Sequence, residues 1–207
     1  MRSTKDNLRE DDAASSDDRG RSLEIIHAAA HLFHENGFHA TSMNDIAKAM
    51  NLTKPGLYHY VKSKEELLYS IIDHAMNMLQ DAVINPAKLT QDPGERLELI
   101  IEQHARLVLS NKVLVILADE MAGLSPEHHE LVIQHKRDFF RLLRGTLDEL
   151  VESGRIRSIN STVVAFAIFG ALLWLPRWYH PLGTLKLDEL VAEVKRLICH
   201  GLEQRPL

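Results

Sequence analysis

Lys54, Pro55, Gly56, Tyr58, His59 and Tyr60 fall on barely two turns of helix. Residues of these types at this density suit one kind of chemistry. A lysine near a helix start can reach a base edge or a phosphate, while tyrosine hydroxyls and an imidazole offer donors with few rotamers to freeze. Gly56 removes side-chain bulk and lets the backbone come close to a partner. Leu57 and Val61, at i and i+4, look inward, which turns positions 54, 55, 58 and 59 away from the core. Lys62 and Lys64 continue a positive rim beyond the helix. A core helix with merely solvated lysines is the bland alternative, and it fits poorly with so short and polar a stretch.

Two short helices with a tight polar break must position that row. Ser42 can cap the first, with Asp45 in the capping-box position and Ile46, Ala47 and Met50 as its buried face. Thr53 caps the second, and Pro55 lies in its first turn, where a missing N–H is harmless. Ahead of both, Ile26, Ala29, Ala30 and Phe33 mark one face of a longer helix closed by Gly37. This is the layout of a helix-turn-helix, in which one helix braces against the duplex backbone and the next enters the major groove.

The rest of the chain also reads as helix. Ser63 and Glu66 open a helix through Leu67, Leu68, Ile71, Ile72, Ala75 and Met78, which Asn85 and Pro86 are expected to break. Asp92-Pro93-Gly94-Glu95 and Ser125-Pro126-Glu127 write the same start signal twice more. The second of these helices runs through Leu131, His135, Phe139, Leu142, Thr146 and Leu150 to a stop at Gly154. The segment 160–178 is apolar nearly all round, the mark of a helix buried on more than one side, and Ala165, Ala167, Gly170 and Ala171 keep one side thin. A last helix over 186–203 carries Leu187, Leu190, Val191, Val194, Leu197 and Ile198 on one side. Strand-like alternation and repeats are absent. The expected fold is all-α with about nine helices. Residues 1–20 should be a disordered tail, 21–66 a helix-turn-helix DNA-binding domain, and 67–207 an effector-binding and dimerisation domain.

A net charge of −5 argues against binding polyanions with the whole surface. The charge is uneven, however. Residues 1–18 set Arg2, Lys5 and Arg9 against Asp6, Glu10, Asp11, Asp12, Asp17 and Asp18. Residues 19–64 set Arg19, Arg21, Lys48, Lys54, Lys62 and Lys64 against only Glu24, Glu35 and Asp45. A basic segment within an acidic protein fits a local nucleic-acid surface. Cys199 is the only cysteine, so no intrachain disulfide can form and a reducing compartment is expected. The N-terminus lacks the apolar stretch of a secretory signal. The longest apolar run, Val163 to Pro176, falls short of the roughly 20 residues that span a bilayer. The expectation is a cytoplasmic protein with no membrane partner.

The run SMNDIAKAMNLTKPGLYHYVKSKEEL from Ser42 to Leu67, with AAAHLFHENGFHATS leading into it, resembles the DNA-binding pattern of the TetR family of one-component transcriptional regulators. The resemblance is specific over about residues 22–70 and topologically compatible beyond. It implies a recognition helix beginning at Thr53, with Lys54 and Gly56 at base edges and Pro55 on the same outward side. It further implies that Tyr58, His59 and Lys64 contact phosphates and that Ser42 and Asn44 sit at the edge of the backbone. Val61 stands where the family often has phenylalanine, a swap confined to the core.

Such a regulator needs a homodimer, because two reading heads must meet two half-sites of a double-stranded DNA operator. The last two helices are the natural surface for a four-helix bundle between copies; the alternative is that both are monomer core. The stretch from Trp174 to Gly183, WLPRWYHPLG, resembles the C-terminal signature of a TetR branch whose members often sense acyl-CoA thioesters. An acyl chain suits the apolar space among Leu114, Leu117, Met121, Phe139 and Leu143. Arg141, Arg144 and Arg177 are candidates for its phosphates, and Trp174 or Trp178 for stacking on adenine. Equally, the aromatics can cap the bundle and the arginines can pair with acids, and both readings stay open. The expected function is a DNA-binding repressor released from its operator by a small-molecule effector, with no cofactor.

Twelve histidines raise a rival reading, a helical-bundle metal-dependent enzyme. His27, His31 and His34 share a helix face, and His128-His129 lies between Glu127 and Glu130. No four-ligand set has familiar spacing, HExxH is absent, and Glu24-Ile-Ile-His27 is a lone ExxH where a di-iron bundle needs two. Without a Gly-rich phosphate loop, a nucleophile elbow or CxxC, the expectation is neither an enzyme nor a metal protein.

Overall fold

The computed structural model describes residues 4–118 and 121–202. Ten α-helices follow in order: α1 Thr4–Asn36, α2 Met43–Ala49, α3 Lys54–Tyr60, α4 Lys64–Leu79, α5 Asn85–Leu89, α6 Pro93–Ser110, α7 Lys112–Leu117, α8 Pro126–Glu152, α9 Ser161–Trp178 and α10 Leu187–Leu202. A π-turn over Gln80–Ile84 fuses α4 to α5, so the described residues carry nine helical rods and the architecture is all-α.

Two local expectations are corrected. The segment expected to be a disordered tail is helical from Thr4 onward, with residues 1–3 outside the described residues. Residues 4–20 contain no proline and one glycine, and extending a helix already nucleated further along adds a hydrogen bond per residue without a new nucleus. Asn85 and Pro86 do not break the chain's helical course either. The Asn85 N–H bonds to the Gln80 carbonyl, one residue further back than in an α-helix. That wider turn accommodates the proline ring, which then lies in the first turn of α5.

The chain divides into two compact units, one of Met1–Ile72 with Ile116–Ser125, the other of Asp73–Val115 with Pro126–Leu207. The division falls inside α4, a few residues beyond the boundary expected at 66. It also gives the first unit a segment remote in sequence. Within that unit a Cβ on Gly123 would lie 2.5 Å from the Phe38 ring and 2.8 Å from Leu68, so only glycine lets this loop sit so close. Ile25, Ala29, Phe33, Ile46, Leu57, Leu67, Leu68, Ile71 and Ile72 form the buried surfaces of the first unit.

In the second unit α6 is central and packs against α8, α9 and α10. Asp92 caps α6 by accepting from the Gly94 and Glu95 N–H groups, each at 2.9 Å. Asn160 caps α9 by accepting from Val163 N–H. Ile100, Ile101, Leu143, Leu147 and Leu172 are fully buried between these helices. Helix α9 is covered on one side only, through Ala165, Ile168, Leu172 and Leu175. Val163 at 62%, Phe166 at 63% and Trp174 at 60% exposure face outward, and Leu197 of α10 stands 76% exposed. The expectation that 160–178 is buried on more than one side is therefore not met within a single chain. By length and composition alone, α9 is also the one helix among the described residues able to cross a membrane.

Candidate nucleic-acid interface and effector interior

The turn between α2 and α3 decides where the polar row points. The Leu52 N–H bonds the Ala47 carbonyl at 2.8 Å and the Asn51 N–H bonds the Lys48 carbonyl at 3.1 Å. This pair of bonds is a Schellman closure, with Asn51 in the left-handed position at φ 53°. Asparagine is the side chain other than glycine that adopts this conformation most readily. Arg21 of α1 donates to the Met50 carbonyl at 3.0 Å and so ties the first helix to the end of α2. Asn51 was not singled out from the sequence and Arg21 was counted only as one of the cations of the basic segment, although asparagine just after a short helix is a recognisable stop.

Thr53 caps α3, its hydroxyl accepting from the Gly56 N–H at 3.2 Å, and Leu57 is fully buried beneath. Thr53, Lys54, Pro55, Tyr58 and His59 are exposed together on the outer side. A Cβ on Gly56 would come within 3.2 Å of the Thr53 hydroxyl, so glycine also protects the cap. On α2 both Ser42 and Asn44 are exposed. The Ser42 hydroxyl is engaged locally: it donates to the Asp45 carboxylate at 2.6 Å and accepts from the Asp45 N–H. The hydroxyl of Ser42, and its backbone N–H at 3.0 Å, both donate to the Asp45 carboxylate and hold that carboxyl below its ordinary range.

Lys64 departs from expectation. Its ammonium donates to the carbonyls of Phe38 at 2.8 Å, Thr41 at 3.1 Å and His39 at 3.4 Å, and lies 4.4 Å from the centre of the Phe38 ring. Three donors meet three acceptors, so the side chain that was expected to contact phosphate is spent on the link between α1 and α2.

The expected effector residues of the second unit divide between its interior and its exposed side. Phe139 and Leu143 are buried together in its core, and Leu114 is buried as well. Arg141 stands on the exposed side of α8, bonded to Asp138 at 2.9 Å. Trp174, Arg177 and Trp178 are exposed along α9, where the Arg177 guanidinium lies over the Trp174 ring at 4.9 Å and donates to the Leu173 carbonyl. Met121 is half-buried in the loop that belongs to the first unit, and the side chain of Leu117 lies outside what the structure describes.

Phe139 has a neighbour that the sequence reading passed over. His104 of α6 is 5% exposed, with its ring edge-on to Phe139 at 5.2 Å and to Phe169 at 6.0 Å. Its Nδ1 is buried with no hydrogen-bond partner. Leaving such a group unpaired costs about 1–3 kcal/mol. The signal was present, because His104 continues the apolar stripe of Leu97, Ile100, Ile101, Ala105 and Val108. Burial pushes the imidazole down from 6.5 to about 4. Between those values an unfolded chain takes up a proton that the folded chain refuses, so stability is whole above about pH 6.5 and falls as pH drops towards 4. The expected loss between pH 7 and pH 5 is about 2 kcal/mol. Urea unfolding at the two pH values should register it in the wild type, and His104→Leu should lose that component.

Among the described residues no group of three His, Cys, Asp or Glu side chains could hold a metal ion.

Set beside known proteins, the chain matches two family profiles. Residues 25–79 match "Bacterial regulatory proteins, tetR family", and residues 90–202 match "Tetracyclin repressor-like, C-terminal domain". It is 28% identical over 190 residues to the HTH-type transcriptional repressor KstR2 of Rhodococcus jostii, covering 88% of this chain and 91% of that protein. It is 26% identical over 156 residues to the fatty acid metabolism regulator protein of Bacillus subtilis, covering 74% and 80%. Among solved structures, AibR in complex with isovaleryl coenzyme A and operator DNA superposes with a TM-score of 0.78 at 30% identity, over 86% of this chain and 97% of that one.

Proposed function

The chain belongs to the TetR family of DNA-binding transcriptional regulators, and from that premise we propose a homodimeric, cytoplasmic repressor that leaves its operator when a CoA thioester binds. It is a regulator of transcription and not an enzyme, which sets aside the metal-bundle reading. The observation that carries the DNA-reading role is the exposed row Thr53, Lys54, Pro55, Tyr58 and His59 on a helix whose inner side is anchored by fully buried Leu57. In this proposal Lys54 and Gly56 meet base edges, Tyr58 and His59 meet phosphates, and Ser42 and Asn44 lie at the rim. The partner for the exposed apolar side of α9 and α10 is a second copy of the chain, which removes Val163, Phe166, Trp174 and Leu197 from water.

The effector class is supported by relatives whose names tie them to fatty acid metabolism and to isovaleryl coenzyme A. In this chain the apolar interior beside Phe139 is the place for the acyl group. Arg141, Arg177 and the two tryptophans lie on exposed helix sides, where Arg141 pairs with Asp138 and Arg177 and the tryptophans close the bundle between copies.

A gel shift of the purified protein on its own upstream DNA, with and without long-chain acyl-CoA, tests the proposal. Retention in its absence and release in its presence is the expected result; no retention on any tested DNA overturns it. Within the same assay Tyr58→Ala should weaken binding roughly tenfold on operator and unrelated DNA alike. Lys54→Ala should also shrink the gap between operator and unrelated DNA by about tenfold. Unchanged affinity in both variants contradicts the placement of α3 in the groove.

A further inference from the structure

The geometry points to His104 as the polar contact of the effector interior, hydrogen-bonding through Nδ1 to a hydroxyl or carbonyl oxygen carried on the acyl part of the ligand. The inference rests on the effector reading given above and sharpens it from any acyl group to an oxygen-bearing one. His104 adjoins Phe139, an expected effector residue buried in the second unit, and its ring is bounded by Phe139 and Phe169. Those two rings themselves lie 5.0 Å apart, so the imidazole stands in an aromatic setting with no acid beside it in that group.

A histidine whose only task is to fill the core gains nothing from a polar atom there. Leucine or phenylalanine would pack in the same space and leave no nitrogen unpaired. The unpaired Nδ1 therefore makes sense as one half of a hydrogen bond whose other half arrives with the ligand. Burial keeps the ring neutral, which limits what it can receive. A neutral imidazole carries one N–H and one lone pair, so it can donate to a carbonyl or accept from a hydroxyl by choice of tautomer. It cannot offset the desolvation of a carboxylate, so a free acid group at this point of the ligand is disfavoured. A saturated chain, in contrast, would leave Nδ1 as unpaired as before.

The test is a competition between matched ligands on the full-length protein. A saturated acyl-CoA and its 3-hydroxy and 3-oxo counterparts of equal length are titrated calorimetrically and in the operator-release assay. The same alkyl skeletons without CoA, as fatty alcohols and as ketones each beside the unsubstituted hydrocarbon of equal length, form a second series. The wild type should bind the oxygenated member of a pair at least tenfold more tightly. His104→Leu should erase that preference while holding or raising affinity for the saturated ligand. His104→Gln, which restores a donor and an acceptor, should recover part of it. Thermal melting of both variants checks that they fold. Equal binding of both members of each pair by the wild type, or an equal change for both in His104→Leu, overturns the inference and leaves His104 as core. If only the series without CoA binds, with the same dependence on His104, the contact stands and the CoA reading falls. If neither series binds, both fall.

Discussion

Gly170→Glu is expected to yield a folded monomer that has lost operator binding by at least a hundredfold. Within one chain the substitution is tolerated, because nothing lies within 4 Å of a Cβ built on Gly170 and the residue is exposed. The penalty arises between copies. Gly170 lies on the outward side of α9 among Phe166, Ala167, Ala171 and Trp174, where a carboxylate would be buried without a partner. Losing the dimer disconnects the two reading heads, and the second half-site then no longer adds to the first; linked binding of this kind is worth about 10²–10⁴ in affinity. Sedimentation velocity and a gel shift on the same preparation decide it. A dimeric variant with ordinary operator affinity would place the interface elsewhere and reopen the question of what covers the exposed side of α9.

The features legible in the sequence share one property: both partners lie within one helical turn. The Ser42–Asp45 box, the Thr53 cap over Gly56, the Asp92 cap and the stop at Gly154 all span a few residues, and all are found. Binary pattern likewise gave the buried side of α4 through Leu67, Leu68, Ile71, Ile72 and Ala75, but only part of that of α8, where Phe139, Thr146 and Leu150 are buried while Leu131 and His135 stand exposed. What escaped the sequence reading depends on distance along the chain. Nothing local says that Gly123 will rest on Phe38 and Leu68, so the reassignment of 116–125 to the first unit was invisible. Arg96 was unremarkable until α6 packed on α8, where it bonds Glu149 at 2.8 Å as well as the Thr90 and Gln91 carbonyls. In α9 the apolar count was read correctly, but composition cannot say whether a neighbour or a second copy covers each side. The candidate effector set suffered most. Its members were chosen by type, and only packing reveals that Phe139 and His104 meet while Trp174 and Arg141 face outward.

Lys64 gives the sharpest separation between a residue that touches DNA and one that holds the reader in place. A phosphate contact contributes a released counterion, so its loss lowers the slope of log affinity against log salt by about one unit. A clamp contributes none. Lys64 reaches back 23 to 26 residues to the carbonyls of Thr41 and Phe38, and buried Thr41 adds its own hydroxyl bond to the Gly37 carbonyl. Together they fix the passage from α1 into α2, and through the α2–α3 turn they set the angle of the exposed row. Lys64→Met keeps the aliphatic stem and removes the three donors. It should destabilise the protein by about 2 kcal/mol, the scale for bonds made by a charged donor. Operator affinity should fall about tenfold, consistent with a misaligned α3, while the salt slope stays at the wild-type value. Lys54→Ala makes the contrasting case, since it should leave thermal stability unchanged and alter DNA binding alone. A Lys64→Met protein with wild-type stability and a slope reduced by one would return this lysine to the phosphates. The retained slope with lowered stability would confirm that the positive rim of the reading head is narrower than its lysine count suggests.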